Sequence, residues 1–342
     1  MVRISMLGSG FTPSFFMTAL KAVPGQEVKV VYSPTEDHVK RFSEKWGIPE
    51  WTTSMEKAVD RNDIDLVVVG VPNFVHKEAA ILAAEAGKNV VCTKPLARNA
   101  QEAREMLEAV KKAGVIHGYL ETDVFCPSVM KAEEVIRKGG IGDVFWIRSR
   151  EAHYGPHGAW FWDPELSGGG CLMDMGCHCI ENARYFLGKN VRPVEVMGWG
   201  DTIVHSVECE DNAFLLLRFE NKQIAQIEVS WSSRGGLDLR NEIYGTQGSI
   251  FTDVTRDTPI QVFSLAGSGY VVEKAEADKG WVFPVPDEEV AYGFVEMFRY
   301  FVECIESKET PRETFEDGYI VNSITDAGYR AMKSRKWEKV EI

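Results

Sequence analysis

The first 120 residues alternate short apolar runs with amphipathic stretches, and that alternation leaves few folds open. Residues 2–7, 28–32, 65–71, 89–92 and 115–119 are apolar and rich in β-branched side chains, as strands are. Between them, residues 13–23, 36–46, 55–60, 77–86 and 99–113 read as helices, with Gly87 as one stop. Strands that are apolar throughout belong to a sheet covered on both faces, and helical crossovers make that sheet parallel. Right-handed crossovers then give a doubly wound α/β sheet.

The pattern changes near residue 123. A helix at 127–139 leads to a strand at 144–149 and to a loop at 152–170 dense in Trp, His, Gly and Pro. A helix over 171–187 stops at Gly188. Strands are expected at 194–200, 202–209, 212–219, 223–232, 239–245 and 248–253, then helices at 289–307 and 316–334. The expectation is therefore two domains, α/β followed by α+β. Residues 1–122 form a doubly wound parallel sheet of Rossmann type. Residues 123–342 form a substrate-binding and oligomerisation domain on a large, mostly antiparallel sheet. A sheet with one face left uncovered by helices is an apolar liability, so a homodimer or homotetramer through that sheet is expected.

Composition narrows the partners. With 38 basic against 51 acidic residues the net charge is −13, and the cations are scattered, so a nucleic-acid surface is not expected. No stretch is long and apolar enough for a membrane span, and the opening residues lack the h-region of a signal peptide. The seven cysteines make no disulfide framework and read as reduced thiols of a cytoplasmic protein.

The turn after the first strand is Gly8-Ser9-Gly10. Glycine there lets the chain turn tightly and lets a pyrophosphate approach a helix N-terminus. Phe11 and Thr12 would supply that first helical turn. The third glycine of the full dinucleotide fingerprint is replaced by Pro13, so position in the fold carries more weight than the motif. Tyr32-Ser33-Pro34-Thr35 ends the second strand without the acid that favours NAD or an arginine that favours NADP. Ser33 and Thr35 suit a hydroxyl or a phosphate oxygen, and the choice between NAD and NADP stays open.

Three further stretches combine with this turn: Val71-Pro72-Asn73-Phe74-Val75-His76, Thr93-Lys94-Pro95, and Gly168 to His178 with Asp174, Gly176 and His178. In this order, and with Gly245-Thr246-x-Gly248, they resemble the glucose–fructose oxidoreductase, inositol dehydrogenase and MocA family over nearly the whole chain. The resemblance implies a nicotinamide-dependent dehydrogenase for a secondary hydroxyl of a sugar or polyol. It places Pro72, Asn73, His76, Lys94 and Pro95 on the nicotinamide side. It makes Lys94 the cation on the substrate hydroxyl and His178 the general base, with Asp174 contacting substrate or orienting the catalytic groups. Thr93 stands where the family usually has glutamate.

Alcohol oxidation needs a group to hold the hydroxyl and a group to take its proton. Lys94 follows a parallel strand, at the edge where open α/β sheets bind ligands. Asp174 and His178 are four apart and would share one face of a helix. In the aromatic loop, His153, His157, Trp160 and Trp162 suit the C–H face and hydroxyls of a sugar. Tyr119, Glu121, Trp231 and Arg234 are further substrate-pocket candidates. The histidines and Asp174 are of metal-ligating type, but nothing in their spacing converges them, and no metal is expected. Two other readings use the same residues: a glycoside hydrolase or lyase that holds NAD through a transient oxidation, and a non-catalytic dinucleotide sensor.

Overall fold

The structure, a computed structural model, describes residues 1–256, 258 and 260–342. Two compact units emerge, Met1–Glu121 with Phe294–Asn322, and Thr122–Gly293 with Ser323–Ile342. The boundary read from the sequence lies after residue 122. The first unit also includes Phe294–Asn322, from the C-terminal helices.

The first unit carries strands β1 (Val2–Leu7), β2 (Gln26–Tyr32), β3 (Glu50–Thr52), β4 (Leu66–Val69), β5 (Asn89–Thr93) and β6 (His117–Leu120). They form one parallel sheet in the order β3-β2-β1-β4-β5-β6. Every residue of β4 is buried, which is why that run contains no polar side chain. The connecting helices are α1 (Phe11–Leu20), α2 (Glu36–Trp46), α3 (Met55–Val59), α4 (Asn73–Glu85) and α5 (Ala100–Ala113). Helix α5 starts on Asn99, whose side chain accepts the Glu102 N–H, and ends at left-handed Gly114. Helix α1 begins two residues before the expected start, because a proline in the first turn gives up an N–H that has no intrahelical acceptor. Strand order reverses between β1 and β4, the switch point at which doubly wound sheets bind ligands.

The second unit opens with a 3-10 turn at Asp123–Phe125 and continues through α6 (Pro127–Arg137), β7 (Val144–Ala152), α7 (Pro164–Ser167), α8 (Cys171–Asp174) and α9 (Gly176–Leu187). Strands β8 (Pro193–Asp201), β9 (Asn212–Phe219), β10 (Ile224–Ser230), β11 (Asp238–Gly245) and β12 (Gly248–Asp253) follow, then a hairpin of β13 (Val262–Ser264) and β14 (Gly280–Val282). Beyond α10 (Glu288–Ala291) the chain continues through α11 (Phe294–Ser307) and the start of α12 (Phe315–Ser334), which belong to the first unit, and the rest of α12 and β15 (Glu338–Lys339) belong to the second. The large sheet runs β12-β11-β7-β10-β9-β8-β15, antiparallel except for the pair β7 and β10. Its inner face, with Ile147, Leu215, Leu217, Ile227 and Ile243 fully buried, is covered by α9. Trp146, Met197, Trp199 and Phe251 are exposed on this sheet.

Three expected elements differ. No strand forms at 202–209, because the Asp211 carboxylate accepts the N–H groups of Ile203, Val204 and His205 and so satisfies them within a loop. The expected helix at 171–187 is broken at Met175 into α8 and α9. The expected helix at 289–307 breaks at Gly293, which has φ +82 and no room for a side chain against the Thr122 carbonyl.

Candidate active site

In the first unit the candidate cofactor residues follow the C-terminal ends of β1, β2, β4 and β5, along one edge of the sheet. Gly8 has φ +116, and a Cβ there would lie 2.5 Å from the Gly70 carbonyl oxygen. The two glycines let the turns after β1 and β4 touch at the switch point. Pro13 explains why the missing third glycine is tolerated: its ring packs where a Cβ on Gly70 would lie, so the small residue has moved to the other side of the contact. Gly10 is different. Nothing lies within 4 Å of the position its Cβ would take. The α1 N-terminus has no side-chain cap and no acid in its first turn, an arrangement that favours an anion. This cradle fits a dinucleotide pyrophosphate.

After β2, Ser33 is buried and Thr35 is exposed at the start of α2, whose first turn carries Glu36 and Asp37. After β4, Pro72 caps α4, and Asn73 is buried in its first turn. His76 is fully buried. Its Nδ1 faces the Pro95 and Leu96 carbonyls at 3.0 and 3.3 Å, and its Nε2 faces the Val71 carbonyl at 2.8 Å. Burial pulls its pKa below the ordinary histidine value, with the carbonyls opposing. His76 thus pins the Lys94–Pro95 turn, whose peptide bond is cis. Lys94 is half-buried at the end of β5. Tyr119 and Glu121, at and just beyond the end of β6, are fully buried.

In the second unit the triple glycine serves packing. A side chain on Gly169 would collide with the Tyr329 hydroxyl, and one on Gly170 with the Glu210 backbone. Glu210 in turn accepts the N–H groups of Gly170 and Leu172 and the Tyr329 hydroxyl. Asp174 and His178 stand on either side of the Met175 break, both buried. Asp174 accepts the Trp231 indole N–H at 3.0 Å. His178 Nδ1 lies 3.7 Å from Asp123 Oδ1. Asp123, Glu151 and His178 form a buried cluster, with one ligand-type atom from each all within 4.8 Å of one another.

The aromatic loop is assembled rather than extended. The His153 and His157 rings meet edge to face at 5.0 Å, and His157 pairs with Glu273. Trp160 stacks on Phe161 at 3.9 Å, while Trp162 meets both Trp231 and His205. Arg234 lies 3.7 Å over the Tyr154 ring and pairs with Glu276. Lys274 donates to the carbonyls of Tyr154, Gly155 and Pro156, a clamp that the sequence reading missed. Burial pulls its pKa below the ordinary lysine range, with Asp174 and Glu273 opposing. Asp123 was missed too: one acid between strand and helix has no periodic or motif signal. Lys274 lies in an irregular segment between two three-residue strands, which no periodicity reveals.

Two family models match: an oxidoreductase family with an NAD-binding Rossmann fold over residues 2–120, and the GFO/IDH/MocA C-terminal domain over 129–251. Levoglucosan dehydrogenase of Pseudarthrobacter phenanthrenivorans is 26% identical, covering 99% of this chain and 98% of the relative. The scyllo-inositol 2-dehydrogenase (NAD(+)) of Bacillus subtilis is 27% identical over 93% and 90%. Among solved structures, GenD2 from gentamicin A biosynthesis in complex with NAD is similar at a TM-score of 0.94, with 25% identity over 100% of this chain and 97% of that one.

Proposed function

From the premise that this chain belongs to the GFO/IDH/MocA oxidoreductase family, we propose residue roles for an NAD-dependent dehydrogenase acting on a CH–OH group of a sugar or polyol. The observation that carries the redox reading is the open, uncapped N-terminus of α1 at Gly10, beside the closed Gly8–Gly70 contact. When bound there, NAD supplies the hydride acceptor. Phe11 and Thr12 hold the pyrophosphate through backbone N–H groups, and Gly8, Pro72, Asn73 and Pro95 shape the surrounding turns. Ser33 and Thr35 serve the ribose, and Glu36 and Asp37 disfavour a 2′-phosphate by charge repulsion. Lys94 holds the substrate hydroxyl and stabilises negative charge developing on its oxygen. His178 takes the hydroxyl proton.

The substrate is a carbohydrate or polyol whose C–H face packs on the rings of the Tyr154–Trp162 loop. His153, His157, Trp160, Trp162 and Arg234 contribute to its recognition, with Lys274 holding the loop. The exposed Trp146, Trp199 and Phe251 support self-association through the large sheet as a dimer or tetramer. Among the described residues, no helix is long and apolar enough to cross a membrane. The test is a panel of polyols, sugars and sugar acids with NAD, comparing wild type with Lys94→Ala and His178→Ala. A loss of at least about 100-fold in kcat is expected in each variant. Wild-type turnover in either one removes its assigned role.

A further inference from the structure

In the loop at 202–209, His205 carries a ring nitrogen that the fold leaves unmatched. The fully buried Asp211 carboxylate accepts the N–H groups of Ile203, Val204 and His205, each at 2.8 Å, and the Asn212 side-chain amide at 2.7 Å. Burial opposes its charge, yet these hydrogen bonds hold the carboxyl well below the usual carboxylate range. His205 Nδ1 lies 3.1 Å from Asp211 Oδ2. An ionised carboxylate only accepts, so Nδ1 donates, and the neutral ring keeps its lone pair on Nε2. That atom is shielded from solvent and meets no hydrogen-bond partner among the described residues. A buried acceptor left unmatched costs stability. The loop does not need the ring to hold its shape, since Asp211 already binds three of its backbone N–H groups. The ring centroid lies 5.0 Å from that of Trp162 and 5.1 Å from that of Tyr154. Trp162 meets Trp231 at 5.3 Å, and Trp231 donates to Asp174. Contact from His205 to Asp174 thus runs through two indole rings.

We propose that His205 is a specificity-determining residue: its Nε2 accepts a hydrogen bond from a substrate hydroxyl other than the one that reacts, and Asp211 fixes the tautomer that makes Nε2 an acceptor. An acceptor flanked by aromatic rings meets both needs of a sugar, a surface for its C–H face and a directed partner for a hydroxyl. The hydroxyl reaches Nε2 as the substrate parts the half-buried Tyr154 and Trp162 side chains. This rests on the reading that the substrate packs on the Tyr154–Trp162 loop.

His205→Asn keeps a side-chain N–H for Asp211 but has no acceptor where Nε2 stood. The assay is steady-state kinetics with NAD on the best substrate of a sugar and polyol panel and on each of its monodeoxy analogues. The expected result is a rise in KM of about 3- to 10-fold for the parent substrate, with kcat and NAD affinity near wild type. One deoxy analogue that the wild type disfavours by a similar factor should no longer be distinguished from the parent in the variant. A merely structural role for the ring would leave that discrimination in place. Failure of the wild type to turn over any panel member, or a wild-type KM in Trp162→Ala, overturns the underlying reading and this inference with it. A raised KM in Trp162→Ala beside a wild-type KM in His205→Asn, or every deoxy penalty unchanged there, overturns the inference alone. If His205→Asn does not fold, His205→Phe, which keeps a ring beside Tyr154 and Trp162 but no nitrogen, is read the same way.

Discussion

Gly10→Ala separates a glycine kept for a ligand from one kept for the fold. Gly10 has φ −90, which any residue adopts, and an added methyl meets no protein atom within 4 Å. As an N-cap, alanine is poorer than glycine by less than about 1 kcal/mol, so the free protein should keep nearly all its stability. With NAD present, the methyl occupies the space through which a pyrophosphate reaches the α1 N–H groups. Losing one hydrogen bond to a charged group costs about 1.5–3 kcal/mol, or about 10- to 150-fold in Kd. The assays are urea unfolding without cofactor and calorimetric titration with NAD. Wild type at 100 times its Kd should gain about 2.7 kcal/mol, most of which the variant loses. Gly8→Ala is the control. Its φ of +116 and the 2.5 Å approach to Gly70 should cost about 2–5 kcal/mol even without NAD. Wild-type NAD affinity in Gly10→Ala, or undiminished stability in Gly8→Ala, would refute the assignment of the two glycines.

Other perturbations test separate parts of the account. His117 has its pKa lowered to about 4, chiefly by burial, and its Nδ1 accepts the Phe315 N–H at 3.1 Å. The unfolded chain binds that proton first, near pH 6.5. Stability is therefore full above pH 6.5 and falls by about 3 kcal/mol as pH drops toward 4. Urea midpoints across that window should slope less in His117→Gln, and an identical slope would contradict this. Asp211→Ala strands three backbone N–H groups of the 203–205 loop and should cost about 2–4 kcal/mol, with new protease cleavage in that loop. Lys274→Met releases the 154–156 carbonyls and should raise the substrate KM at unchanged NAD affinity, measured by steady-state kinetics and titration. Trp146→Glu on the exposed sheet face should shift the protein to a smaller species in light scattering, and an unchanged mass would argue against assembly through that face.

The first unit was legible because continuous apolar strands such as Leu66–Val69 allow only one environment, a sheet buried on both faces. The second was legible where side chains alternate, as along Asn212–Phe219. It failed where one side chain overrides the pattern. The apolar run at 202–209 reads as a strand until Asp211, only a few residues downstream, takes its N–H groups. The motif residues after β1, β4 and β5 fall on the expected sheet edge, since spacing fixes where a strand ends. The partners of His178 and of the aromatic loop were hidden because Asp123 lies 55 residues from His178 and Lys274 at least 118 residues from the carbonyls it holds. Replacing the third fingerprint glycine with Pro13 looked like a defect in the motif, yet the compensating Gly70 lies on the other strand of the contact.

Net hydride transfer from a sugar or polyol hydroxyl to NAD is the reaction on which every residue role above depends. The most direct measurement is the absorbance of reduced nicotinamide when purified protein, NAD and a polyol panel are mixed. Stoichiometric formation of reduced cofactor and a keto product is expected with at least one panel member, abolished in His178→Ala. Glycoside cleavage with no net reduction of NAD, or no binding of NAD at all, would contradict it.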